Sequence, residues 1–428
     1  MAEPAEDGDS ARAEVDATLP GELRVPSPND EVPKRIKPVV RLAGLEGPRG
    51  IGCLCVILVH VSVHFAPNVL AATRIDFLGQ ALTFFFVLSG FLLYLPYVKR
   101  LSQRREMPST RTYLKHRVLR VFPAYLVIFL IVNFILRIAY IENPYNLSWA
   151  DSLAATGMIT DPLDLLAQLT LTQSLFPSTL QTGINPAWSL TTEWGFYLIL
   201  PLIGACLHAA SGRIRRPFLA AFWPALVLLI IGVATNVVVG ILQHAYFPDD
   251  ILAGYWGDNW VAVLSRSFPA LADTFAFGMV AAVIYVALTD GALARWSTAR
   301  LLAIASAVMM IGLFGSFALF IFNPRHLATV FAFASCALII LIVAPLARGE
   351  DSLVAKIVDW RPLKHIGTIS LSTYLWHYPV LLVVERAGLK VGDDFVGISV
   401  AFAIVAIITI ALGSVTYRLV ELPAMRLR

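Results

Sequence analysis

Arg49 and His60 stand eleven residues apart in Leu45–Phe65, LEGPRGIGCLCVILVHVSVHF, a segment otherwise apolar enough to cross a membrane. Eleven residues at ~100° each end about 20° past three turns, so both side chains project from one helical face, ~16.5 Å apart along the axis. A guanidinium near one membrane surface can grip an anion. An imidazole deep in the span titrates near neutrality, so it can act as a general base or a nucleophile. Ionisable residues inside a span are costly unless they face a cavity or a partner, which marks them as functional candidates. His64 lies one turn beyond His60 on the same face. An interfacial or acceptor-side role fits it, as does simple interfacial solvation.

The elements that must position these groups are membrane spans. The 428 residues are 57% hydrophobic and only 14% charged, whereas charged residues make up about a quarter of a soluble globule. Apolar runs long enough for a ~30 Å hydrocarbon layer number ten, at approximately 48–66, 77–97, 121–140, 190–208, 217–242, 268–288, 301–322, 327–346, 367–385 and 396–417. The fold class expected is therefore all-α, a polytopic helical bundle. Basic residues concentrate in cytoplasmic segments. With the amino terminus inside, 27 of the 33 Lys and Arg fall there, which puts both termini in the cytoplasm. The net charge of +4 then reflects orientation, and no nucleic acid partner is needed to explain the basic runs.

Residues 1–40 are rich in Ala, Glu, Asp and Pro and contain no aromatic side chain. They read as a disordered cytoplasmic tail without a signal peptide. A transmembrane domain over 41–423 and a short tail at 424–428 complete the division. The four cysteines, Cys53, Cys55, Cys206 and Cys336, all fall in spans at spacings unlike a metal site, so neither disulfides nor metal is expected. Glycine-rich phosphate loops and internal repeats are absent from the sequence.

The stretch LEGPRGIGCLCVILVH resembles the start of the membrane-bound acyltransferase family 3, in which an arginine is followed eleven positions later by a catalytic histidine. Further matches follow in the family's order: FFFVLSGFLL at 84–93, HRVLRVFPAYL at 116–126, WSLTTEWGFYLILPL at 188–202, IGTISLSTYLWHYPV at 366–380 and YRLVELP at 417–423. Glu46 stands where the family usually has Asp, and Pro48, tolerated in a first helical turn, where it often has Leu. The resemblance implies an integral membrane O-acyltransferase, in stand-alone form without a fused esterase-like domain. It would use acyl-coenzyme A, most simply acetyl-CoA, as co-substrate, with no tightly bound cofactor. The acceptor would be a hydroxyl of a glycan, glycolipid or related cell-envelope molecule at the plasma membrane.

Arg49, Arg117 and Arg120 are the phosphate candidates, the latter two matching the family's paired arginines and neighbouring on a helix. Positive-inside anchoring is their plainer explanation. His60 would be the general base in direct transfer, with an acyl-histidine intermediate as the mechanistic rival. Glu193, expected at similar depth, would be the carboxylate on the other ring nitrogen. His377 is a supporting candidate that a bond to Ser370, Ser372 or a carbonyl would also explain. Ser89 and Gly90 read as a close helix contact or an approach to the acyl arm. Trp188 joins His64 and His377 as a substrate-binding candidate, since the stretches 141–189 and 244–260 mix carboxylates with aromatic residues, as a sugar site or an aromatic belt would. Leu163–Phe176 is too short to span and reads as re-entrant or interfacial. A transporter or flippase that uses the buried charges is the alternative, against which stands the lack of a repeat relating the two halves.

Overall fold

The computed structural model describes residues 42–147, 153–210 and 214–427. The tail expected at 1–40 lies outside them, as do Trp149 and Asp151. Ten main helices carry the fold: α1 (Glu46–Phe65), α2 (Ala81–Ser102), α3 (Thr110–Leu130), α4 (Trp188–Ala210), α5 (Pro217–Tyr246), α6 (Phe268–Thr289), α7 (Thr298–Phe322), α8 (Leu327–Ala347), α9 (Ser370–Arg386) and α10 (Phe395–Thr416). Among the described residues, nine helical segments are long and apolar enough to cross a membrane, one fewer than the ten expected. The difference lies at 367–385, where the chain forms a short helix, Arg361–Thr368, and then α9. At 17 residues α9 is about 25 Å long. It lies inside the bundle with most of its residues buried, which frees it to carry Ser372, Thr373 and His377.

The third expected span also starts earlier. Helix α3 begins at Thr110, because its first half, with Arg, Lys and Leu among its residues, tolerates helix and a membrane boundary need not end a helix. Arg117 and Arg120 therefore sit within it. It ends in a turn of π-helix, Ile131–Leu136, followed by Arg137 in the left-handed region. Two short strands, β1 (Ala139–Tyr140) and β2 (Thr156–Gly157), pair antiparallel. The apolar run at 163–176 contains the helix Pro162–Leu169, capped by Asp161, with Leu163 and Leu166 exposed. That suits an interfacial element.

Two close approaches fix the frame. In α1, a Cβ on Gly50 would lie 2.2 Å from the Leu363 carbonyl oxygen, and in the facing helix a Cβ on Gly367 would lie 1.8 Å from that of Glu46. Only glycine lets these backbones meet. The first turn of α1 has no side-chain cap of its own. Asp359, just before the short helix, accepts from the Gly44 and Gly47 amides at 2.9 and 3.2 Å and so satisfies donors that a helix start leaves open. Across the bundle, Gly90 of α2 packs on the Phe275 carbonyl of α6, where a Cβ would come within 2.2 Å. Its role is the close helix contact.

Candidate active site

Arg49 on α1 and Arg117 and Arg120 on α3 line one cavity of about 150 Å³. Its other walls include Ser89 of α2, Ser189, Glu193 and Tyr197 of α4, and Ser370 and Tyr374 of α9. Arg49 and Arg117 are only partly satisfied by protein, whereas Arg120 is ion-paired. Arg49 Nη2 donates to Ser370 Oγ at 2.7 Å, while its Nε is buried with no hydrogen-bond partner. The Arg117 guanidinium lies 5.8 and 5.9 Å from the ring centroids of Tyr113 and Tyr197, and its Nε is likewise buried without a partner. Arg120 Nη1 donates to Glu421 Oε2 at 3.0 Å. Glu421 is itself buried and also accepts from Ser372 Oγ. Buried guanidinium donors without partners are costly. Arg49 and Arg117 each keep such a donor, and with the ion-paired Arg120 they set three cations around one opening.

Helices α1 and α9 run side by side in the same direction. Ser370 meets Arg49 at one end, and His377, Tyr378 and Glu385 meet His60 and His64 further along. His60 Nδ1 lies 2.9 Å from the Val56 carbonyl oxygen and 3.2 Å from His377 Nε2. A carbonyl can only accept, so Nδ1 carries the proton and Nε2 the lone pair. His377 Nδ1 in turn donates to the Tyr374 carbonyl. His64 Nδ1 pairs with Glu385 Oε2 at 2.9 Å, and its Nε2 lies 3.1 Å from the Tyr378 hydroxyl. The ring of Tyr378 stands edge-on to that of His60 at 5.2 Å. Among the described residues, the ring nitrogen of this cluster with no hydrogen-bond partner is His60 Nε2, and His60 is only partly buried. An oriented, neutral imidazole with its lone pair available can act as a base or a nucleophile.

The family profile described as an acyltransferase domain matches residues 42–418. The chain belongs to that family. It is 26% identical over 404 residues to Acyltransferase MdmB of Streptomyces mycarofaciens, an alignment that covers 91% of this chain and 93% of the relative. To O-acetyltransferase OatA of Staphylococcus aureus it is 23% identical over 404 residues, covering 89% of this chain but 57% of the relative. The chain thus spans little more than half of OatA's length. No solved structure matches it significantly. The protein is a multi-pass membrane acyltransferase.

Within the acyltransferase, the expected His60–Glu193 pair is not formed. Glu193 Oε1 accepts instead from Ser89 Oγ at 2.6 Å, and Val56 supplies the partner for the His60 ring. Similar depth did not make the two neighbours: Glu193 faces the arginine cavity, whereas His60 is not among that cavity's lining residues. Trp188 is not brought to the histidines either. The guanidinium of Arg266 lies 5.4 Å from its ring centroid and 4.1 Å from that of Trp256, so one side of the Trp188 ring carries a cation–π contact. The stretches 141–189 and 244–260 meet, through Asn143 Nδ2 donating to the Trp256 carbonyl at 2.8 Å and Tyr145 donating to Asp250 at 3.0 Å. Sequence reasoning missed Glu385 and Glu421. Each is an acid at or beyond the end of an apolar run; the signal for Glu385 was its level, matching His64, and Glu421 also stands in the YRLVELP motif at 417–423.

Proposed function

We propose that this acyltransferase takes an acyl group, most simply acetyl, from cytoplasmic acyl-CoA and places it on a hydroxyl of a glycan or glycolipid at the plasma membrane. The basic-residue bias puts both termini and the Arg49 end of α1 in the cytoplasm. There Arg49, Arg117 and Arg120 grip the donor's phosphates by charge-assisted, planar hydrogen bonds. The cavity, about 150 Å³, takes the phosphate end of the pantetheine arm, and the nucleotide stays at the membrane surface. Glu193 and Ser89 offer hydrogen bonds to the arm's amides. The thioester is then carried ~16 Å along the α1 face to His60.

His60 Nε2 removes the acceptor hydroxyl proton as the oxygen attacks the thioester carbon. When the tetrahedral intermediate collapses, the carbon–sulfur bond breaks and the thiolate takes that proton from His60. The products are an ester, a free CoA thiol and the neutral imidazole. His377 and Val56 hold the ring in the required tautomer throughout. An acyl-histidine route would instead accumulate acyl-enzyme in the absence of acceptor.

The observation that carries this reading is that one face of α1 bears both an under-bonded arginine cavity and a histidine whose Nε2 has no hydrogen-bond partner among the described residues. The test is thiol release from acetyl-CoA by purified protein in nanodiscs, with an envelope glycolipid extract as acceptor. Acceptor-dependent release is expected. A donor left intact across several extracts contradicts the reading and favours a transporter.

A further inference from the structure

Beside His60 lies a carboxylate–imidazole pair that the transfer chemistry above does not use. Glu385 Oε2 is held by His64 Nδ1 at 2.9 Å, and His64 is fixed on its other side by Tyr378. The His64 side chain is 1% exposed, whereas that of Glu385 is 19% exposed. No hydrogen bond to Glu385 Oε1 is found among the described residues. The backbone around it is anchored, since Arg386 donates to the Leu136 and Arg137 carbonyls at 3.2 Å and to Thr156 Oγ1 at 2.9 Å. Among the described residues, one carboxylate oxygen is therefore fixed and the other has no partner. His64 stands four residues beyond His60, ~6 Å along the axis, which is about the breadth of one pyranose ring.

The structure assigns Glu385 as an acceptor-side specificity residue, whose open oxygen accepts hydrogen bonds from hydroxyls neighbouring the one that His60 deprotonates. The ligand class is a polyhydroxylated acceptor, a sugar rather than a simple alcohol. A carboxylate is an acceptor-only group with room for several donors. A hydroxyl-rich ring satisfies it where a lone alkanol leaves it unpaired. His64 is then the positioning residue that keeps Glu385 aimed. This assignment rests on the acyl-transfer reading proposed above.

The experiment compares two acceptors with the same tail, octyl β-D-glucoside and octan-1-ol, using wild type, Glu385→Gln and Glu385→Asp in nanodiscs with acetyl-CoA. Thiol release and the ester product are both followed. In Glu385→Gln the KM for the glucoside should rise roughly tenfold, the loss of one charge-assisted hydrogen bond, with kcat and all octanol parameters unchanged. Glu385→Asp should recover part of the loss. An equal fall for both acceptors shows a merely structural pair and overturns the assignment, as does an unchanged glucoside KM or a wild type that acylates octanol in preference to the glucoside. Failure of the underlying reading looks different: wild type then releases no thiol with either acceptor.

Discussion

At the Arg49 end of α1, guanidinium groups line an open cavity with donors to spare, whereas in the histidine cluster the ring nitrogens other than His60 Nε2 are bonded within the protein. The two regions share a helix and a face. They differ in what they leave unfinished. A site for a mobile polyanion keeps several donors unsatisfied until the ligand arrives, and gains from each of them on binding. A site for proton transfer needs one group in one tautomer, so its neighbours are saturated to hold that group still. On the proposed function the difference separates binding from chemistry along one helix, and substitutions at the two ends should fail in different ways.

The largest effect should come from His60→Gln, which keeps a polar side chain but removes the base. General base catalysis contributes about 10²- to 10⁴-fold, so kcat for acceptor-dependent thiol release should fall by roughly three orders of magnitude with the donor KM little changed. A residual rate within a factor of about 10 of wild type would mean the proton leaves by another route. Arg49→Ala should show the opposite pattern. Losing a charge-assisted bond to phosphate is worth about 2 kcal/mol, roughly 30-fold in donor KM, with kcat nearly preserved; equal losses in both parameters would erase the distinction between the two ends.

Glu421→Gln should be milder. It removes the charge that holds Arg120 but leaves the guanidinium in the cavity wall, so donor KM should shift by about threefold or less, on the scale of a partly exposed pair. A large change in kcat measured on the same variant would link this carboxylate to the chemistry. The smallest effect belongs to Phe314→Leu on α7, a helix of which few residues are buried and whose Phe314 is 69% exposed. Both kinetic parameters and the melting temperature should stay at wild-type values, because the side chain faces the surroundings that lipid would fill.

The spans were legible because periodicity and length alone decide whether a helix can cross a bilayer. The face shared by Arg49 and His60 was legible for the same reason, since both lie on one continuous helix. What the sequence did not yield was lateral neighbourhood. Glu193 and His60 were matched by depth, yet depth is one coordinate of three, and α4 turns Glu193 toward Ser89 and the arginines instead. Glu385 was overlooked because an acid at the end of an apolar run resembles a loop boundary; its identity as a partner of His64 depends on how α9 lies against α1. Asp359 capping the first turn of α1 across 312 residues of sequence is likewise a tertiary fact. Trp188 was read as a sugar platform, and only the fold shows that Arg266 lies 5.4 Å from its ring centroid.

Calorimetric titration of coenzyme A into wild type, His60→Ala and Arg49→Ala in nanodiscs, paired with thiol release from acetyl-CoA by the same samples, tests the division between the two ends most directly. The account predicts that His60→Ala binds coenzyme A as tightly as wild type yet releases no thiol, and that Arg49→Ala binds it more weakly. Thiol release retained by His60→Ala, or wild-type coenzyme A affinity in Arg49→Ala, would contradict it.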